Sequence, residues 1–416
     1  MNLASDPRTP VLSVFANELA FDLFDANWVV RHGVALALTA LLRAHSWSMG
    51  VQFRQDGGNN TNGGCSSGDD DGDDDADLAA HEARLNASFL EDLCFRAVCV
   101  ATLDRFGDFG GGMKEMVAPN REAAAHLLGV AAQSLGGEVR RRAAAALLEL
   151  SAVQSDWEVR HGALLGMQVL LSVDSCEAGA TMLAAVLPDL VPRVMRMLRA
   201  DVYDDVRAAA AAVLLPVTEQ LGGAAGRLVA EQGDASMEAG GGGIADALWC
   251  CLVELDALSF HACPVMQLLH ALYEQSVAAD VSPQRIASVM NMLNSGVYAV
   301  RTSAAVLLRV LMLQQHDPPA GGTSWAEACC APLLRHAFWH LLAEHCRTTE
   351  QETANSLMPE LQELWSCLVA RIPPQCRADG TCLETLRELL HLAAAPEGAL
   401  LREVAAEQVR ASAAWD

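Results

Sequence analysis

Small and apolar residues run in helix-length blocks along this chain, and several blocks open in the same way. VVRHGVALALTALL, PNREAAAHLLGV, EVRHGALLGMQVLL, DVRAAAAAVLLPV and AVRTSAAVLLRVL each set an arginine just ahead of a small-and-apolar run. Alanine and leucine favour helix, and strand-favouring aromatics are few. The hexapeptide WVVRHG at Trp28–Gly33 returns as WEVRHG at Trp157–Gly162. A repeated opening followed by the same kind of helix predicts an array of one supersecondary unit, and arrays usually bind partners rather than catalyse.

The arginines give the period. Arg121 to Arg160 is 39 residues, Arg160 to Arg207 is 47, and Arg207 to Arg301 is 94. A spacing of ~40–47 residues with two helices per unit is that of HEAT and armadillo repeats. The chain therefore reads as all-α, a HEAT/armadillo-type α-solenoid of stacked antiparallel helix pairs forming a single array over residues 1–416. The member due near position 254 falls in LWCCLVELDALSF, which is helical in pattern but lacks the arginine.

The motif residues have physical tasks. Asp156 and Asp204 are expected to cap free backbone N–H groups at their helix starts. Val30, Val159, Val206 and Val300 are expected to begin the buried stripe. The arginine one residue later can lay its stem over that stripe while its guanidinium pairs with a loop aspartate of a neighbouring repeat. Trp28, Arg31, Arg121, Trp157, Arg160, Arg207 and Arg301 are accordingly read as repeat-stacking residues.

Charge changes the picture next. Asp and Glu outnumber Lys and Arg 52 to 28, a formal net charge of −24. So acidic a surface repels phosphate backbones and favours a basic partner protein. The charge peaks in residues 55–77, QDGGNNTNGGCSSGDDDGDDDAD, which includes Asp69, Asp70, Asp71, Asp73, Asp74 and Asp75. Rich in Gly, Asn, Ser and Asp, this tract is read as an acidic low-complexity insertion and not as a repeat helix. Only one further helix, roughly Asn86–Asp104, is expected between the first two motif helices. Two readings of the tract stay open: a solvated disordered loop, or a mobile arm competing for a cationic surface. Residues 221–243 and 314–324 read as Gly- or Pro-rich loops between helices.

Composition closes off several classes. No uninterrupted apolar run reaches the ~18–20 residues of a membrane span. The start, MNLASDPRTPVL, lacks the form of a signal peptide. Thirteen cysteines without paired spacing read as small buried hydrophobes in a reducing compartment. Lys114 is the only lysine, and its GGMKEM context is not a phosphate-binding loop. The string GCSSG at 64–68 lies in the Gly- and Asp-rich tract and is not read as a nucleophile elbow, and no CxxC pair occurs. His336 and His340, with His345 and Cys346 nearby, form the best metal candidate, but a partly buried histidine face is the stronger reading. No catalytic residue, cofactor or metal is expected.

Taken in order, LDRFGDF (103–109), VAPNRE (117–122), WEVRHGALLG (157–166), LPDLVPRVMRMLRADVYDDVRAAAAAVLLPVTE (187–219) and ALWCCLVELD (247–256) carry a family resemblance. The chain resembles the N-terminal HEAT-repeat region of the TATA-binding-protein-associated factor (modifier of transcription) family. WVVRHG and GTSWAEACCAPLLRHAF mark the early and late ends of the likeness. Asn120 stands where the family pattern is apolar, which is expected to loosen that repeat. The family's helicase-like ATPase has no counterpart in these 416 residues, so a fragment or a free-standing repeat module is expected.

The resemblance implies a nuclear scaffold that grips TATA-binding protein, largely through loops joining paired helices. It implies contact with DNA only through that partner, a motor region supplied elsewhere, and an inserted latch over the partner's DNA-binding face. Residues 55–77 are placed in the latch's role. The acidic positions above, with Asp104, Arg105, Asp108, Asp201, Asp204 and Asp205, are expected to meet the partner, because turns are where repeat proteins present side chains. A generic HEAT-repeat adaptor is the alternative.

Overall fold

The structure, a computed structural model, describes residues 11–46, 71–105, 118–173, 177–218, 243–255, 261–275, 282–314, 335–341, 344, 357–370 and 387. Among them the ordered elements are helices and no strand occurs. In chain order these are α1 (Val11–Asp22), α2 (Trp28–His45), α3 (Asp71–Leu103), α4 (Pro119–Gln133), α5 (Gly137–Leu150), α6 (Trp157–Ser172) and α7 (Glu177–Ala200). There follow α8 (Asp204–Ala212), α9 (Ile244–Glu254), α10 (Ala262–Glu274), α11 (Pro283–Met292), α12 (Tyr298–Gln314) and α13 (Met358–Ala370). The all-α repeat architecture read from the sequence is the observed one.

Packing divides the chain into two compact units, Met1–Arg193 and Val194–Asp416, with the division inside α7. In the first unit the pairs are α1 with α2, α3 with α4, and α5 with α6; α4 also packs on both α2 and α6. Short turns join α1 to α2 and α5 to α6 and make them antiparallel neighbours. The motif helices α2, α4 and α6 thus form one layer and their partners the other. In the second unit α10 packs on both α8 and α12, while α9 backs α10, α11 backs α12, and α13 adds to α12.

Why the motif helices occupy the inner layer follows from their composition. Ala124, Leu127, Leu128 and Ala131 on α4, and Ala163, Leu164, Met167 and Leu170 on α6, are all buried. Each fully buried leucine contributes on the order of 1.5–3 kcal/mol. Small residues set how near the helices come. A Cβ built on Gly162 would lie 1.6 Å from the Ala101 carbonyl oxygen, so α6 touches the backbone of α3 there. In the second unit Trp249 of α9 donates from Nε1 to the Tyr273 hydroxyl of α10 at 3.0 Å, satisfying both polar tips inside the core.

Three expectations are corrected here. The fifth motif helix is α10, beginning at Ala262, whereas the segment near position 254 forms α9, its outer partner. An even period misplaces it because the Gly-rich stretch ahead of α9 lengthens that unit. The helix foreseen at Asn86–Asp104 runs over Asp71–Leu103, so residues 71–77 of the acidic tract are helical. Aspartates at a helix start meet the positive end of the dipole, and the alanines and leucine that follow propagate it. Finally Val159, Val206 and Val300 are buried as expected, but Val30 is only half-buried.

Candidate partner-binding edge

Four of the turns where an outer helix gives way to a motif helix share one construction. Arg31 Nη1 donates to the carbonyls of Asp25 (2.7 Å) and Ala26 (3.1 Å), in the turn before its own helix. Arg160 Nη1 does the same to Val153 (3.0 Å) and Gln154 (3.1 Å). Arg301 Nη1 reaches Ser295 (2.9 Å) and Gly296 (3.2 Å). Arg207 donates from Nε and Nη2 to Leu198, both at 3.3 Å, in the last turn of α7. Carbonyls ending a helix lack intrahelical partners and carry its negative dipole end, so a guanidinium satisfies both needs. The repeated arginine is therefore a turn clamp.

The expected pairing with a neighbouring repeat occurs at two of these sites. Arg31 Nε meets Asp104 Oδ2 at 2.5 Å, and Arg207 Nη2 pairs with Glu254. Asp104 directly follows α3, and Glu254 ends α9, so each acid closes the outer helix of the next pair. Arg121 works differently: fully buried, it places its guanidinium 5.1 Å from the Trp157 ring centroid, linking α4 to α6 by a cation–π contact. His32 sets Nδ1 3.1 Å from the Pro119 carbonyl, again tying one motif helix to the next.

The structure separates the expected contact residues. Asp104 is corrected from a partner contact to a core group: its side chain is 2% exposed and also accepts from Asn120 Nδ2 at 2.9 Å. Asn120, expected to loosen its repeat, is buried; its Nδ2 donates to that carboxylate, and its Oδ1 has no hydrogen-bond partner among the described residues. Asp205 is also turned inward and meets His261 Nε2 at 2.9 Å. Asp156 precedes α6 but does not cap it; it pairs with Arg105 at 3.0 Å. Asp204 is the first residue of α8, not its cap. Asn27 and Ser282 do the capping, accepting from Val29 N (3.1 Å) and Arg285 N (3.3 Å).

Arg105 and Asp204 keep substantial exposure, and Asp201 is half-buried with Oδ1 accepting from Tyr203 N at 3.2 Å. Asp71, Asp73, Asp74 and Asp75 lie in the first turns of α3; Asp69, Asp70 and Asp108 lie outside the described residues. What sequence reasoning passed over is the apolar character of this edge. Phe24 and Val29 stand exposed around the first turn and Leu103 before the second. In the other unit Val202, Tyr203 and Val253 do so. For Phe24, Val202 and Tyr203 the signal was present: large apolar and aromatic residues at turn positions that ordinarily favour Gly, Asn, Asp or Ser.

The histidine pair is satisfied inside its own unit. His336 Nε2 lies 3.0 Å from the Met290 carbonyl and 3.1 Å from His340 Nε2. Burial pushes the His336 ring below the usual histidine range. His345 and Cys346 lie outside the described residues.

No family model matches the chain. It is 30% identical over 376 residues to TATA-binding protein-associated factor 172 of Homo sapiens, an alignment covering 89% of this chain and 17% of that protein. The chain belongs to the TATA-binding-protein-associated factor family. A second member, TATA-binding protein-associated factor BTAF1 of Arabidopsis thaliana, is 35% identical over 197 residues, or 47% of this chain and 9% of its own length. TATA-binding protein-associated factor mot1 of Schizosaccharomyces pombe is 30% identical over 261 residues, 61% of this chain and 11% of its own. The chain thus spans less than a fifth of each of these family members. Among the described residues, no helix is long and apolar enough to cross a membrane.

Proposed function

We propose that this chain is the non-catalytic scaffold of a nuclear transcription regulator, binding TATA-binding protein through the turn edge of its helix pairs. One observation carries the reading: the alignment with human TATA-binding protein-associated factor 172, whose name states the association, over 89% of this chain. The net charge of −24 adds to it, since an acidic array complements a basic, DNA-binding partner and disfavours direct contact with DNA. In this reading DNA is reached only through the partner, and ATP-driven removal from DNA belongs to a helicase-like ATPase region supplied elsewhere. Residues 55–77 compete for the partner's cationic face by presenting a dense row of carboxylates.

A pull-down with recombinant TATA-binding protein tests the scaffold role. Capture that weakens as salt rises is expected, because exposed charges are screened beyond about 10 Å at 0.1 M ionic strength. No capture at low salt would leave the generic adaptor in its place. Deleting residues 55–77 is expected to weaken competition with TATA DNA; unchanged competition removes the latch assignment and leaves the scaffold untouched. The isolated chain is expected to show no ATP turnover, and measurable turnover would defeat the non-catalytic reading.

A further inference from the structure

The turn between α7 and α8 holds an aliphatic side chain out in water. Val202 is 88% exposed, and its neighbour Tyr203 is half uncovered. The turn itself is tightly tied. Asp201 N donates to the Met197 carbonyl at 3.0 Å, and Tyr203 N donates to Asp201 Oδ1 at 3.2 Å. The Tyr203 carbonyl accepts from Val206 N and Arg207 N, both at 3.1 Å. The Arg207 guanidinium clamps the Leu198 carbonyl behind it. A valine presented this way adds nothing to folding, yet its ordering is already complete before any partner arrives.

A recess lies beside this knob. A cleft of about 360 Å³ is walled by Leu198, Ala247 and Cys250, with Arg207, Asp246 and Glu254 among the polar residues lining it. Cys250, Val253 and Glu254 stand three and four residues apart on α9, share one helical face and are all exposed. Charge in the cleft is balanced, Asp246 and Glu254 against Arg199 and Arg207, while two acids, Asp201 and Asp204, flank the knob. Within the cleft Glu254 engages Arg207, and Asp246 engages Arg285, so the acids beside the knob are the ones offered to a partner's cations.

We infer that Val202, Tyr203 and the α8–α9 cleft form a knob-and-recess hot spot for a protein surface offering a buried-sized apolar side chain flanked by lysine or arginine. The knob enters the partner, the partner's apolar side chain enters the cleft, and Asp201 and Asp204 receive its cations. Central apolar anchors of this kind, ringed by polar groups, carry most of the free energy of an interface. This deepens the proposed scaffold role, on which it rests, by moving the anchor from the acidic residues of the turn to the valine between them.

The test measures affinity of the full chain for TATA-binding protein, comparing wild type with Val202→Asp, with Cys250→Trp, which plugs the cleft, and with Leu313→Asp as an exposed control in the same unit. Val202→Asp and Cys250→Trp are each expected to weaken binding about tenfold or more, with the control unchanged and the thermal unfolding midpoint of Val202→Asp held, since the side chain is in water. If wild type binds and Val202→Asp binds equally well, the hot spot is wrong and the scaffold role stands. If wild type does not bind at all, both fall together.

Discussion

Arg31 holds Asp104 across 2.5 Å, joining the first helix pair to the carboxylate that closes the outer helix of the second. Arg207 and Glu254 repeat the arrangement in the other unit. The partners are 73 residues apart in one case and 47 in the other, while the place of each in its repeat is the same. The surplus lies mainly in α3, which spans 33 residues against 11 for α9.

The two ion pairs differ in burial, which predicts different energetics. Asp104 is 2% exposed and also serves Asn120, whereas Glu254 is largely in solvent. Asp104→Ala leaves two donors facing a dry site and should lower stability by about 2–4 kcal/mol. Glu254→Ala should lower it by about 0–1 kcal/mol. Urea unfolding of both variants checks the order; equal losses would mean that burial does not set the strength of the clamp.

The paired hexapeptides make a second contrast. Gly33 has open space where a Cβ would stand, while at Gly162 the same atom would fall 1.6 Å from the Ala101 carbonyl oxygen. Gly33→Ala should be neutral or stabilising by up to about 1 kcal/mol, because glycine is the poorer helix former. Gly162→Ala must push α6 off the backbone of α3 and should lower stability by roughly 3 kcal/mol or more. Thermal unfolding of the two variants decides it, and a Gly162→Ala protein as stable as wild type would refute the close approach.

Two histidines predict an acid-side weakness. Burial is the main influence holding both His270 and His336 below the ordinary value of 6.5. A depressed histidine contributes stability above its unfolded pKa and loses it as pH falls, because the unfolded chain takes up the proton first. The unfolding midpoint should therefore drop between about pH 7.5 and about pH 5.5. A His270→Gln, His336→Gln double variant should drop less; an identical slope would show that these rings are not its source.

Cysteine reactivity should sort by burial. Burial drives the Cys94 thiol up to about 12, with Glu91 adding to it, and the Cys251 thiol up to about 11. Cys99 and Cys250 are exposed. Alkylation near neutral pH, read by peptide mass, should mark Cys99 and Cys250 well before Cys94 and Cys251, since the thiolate is the attacking species. Early labelling of Cys94 would contradict its place in the α3 core.

Helix content and the recurring arginine follow from the sequence by itself, because propensity and apolar spacing act over a few residues. Those local forces also start α2, α4, α6, α8 and α12 two or three residues ahead of their motif arginines. The placement of the fifth motif helix, the fate of Asp104, and the divergence of Gly33 from Gly162 depend on which helix lies alongside. Two identical hexapeptide ends differ only because one meets the backbone of α3 and the other meets water. Burial and partner geometry are properties of packed neighbours, and only the tertiary structure brings those neighbours together.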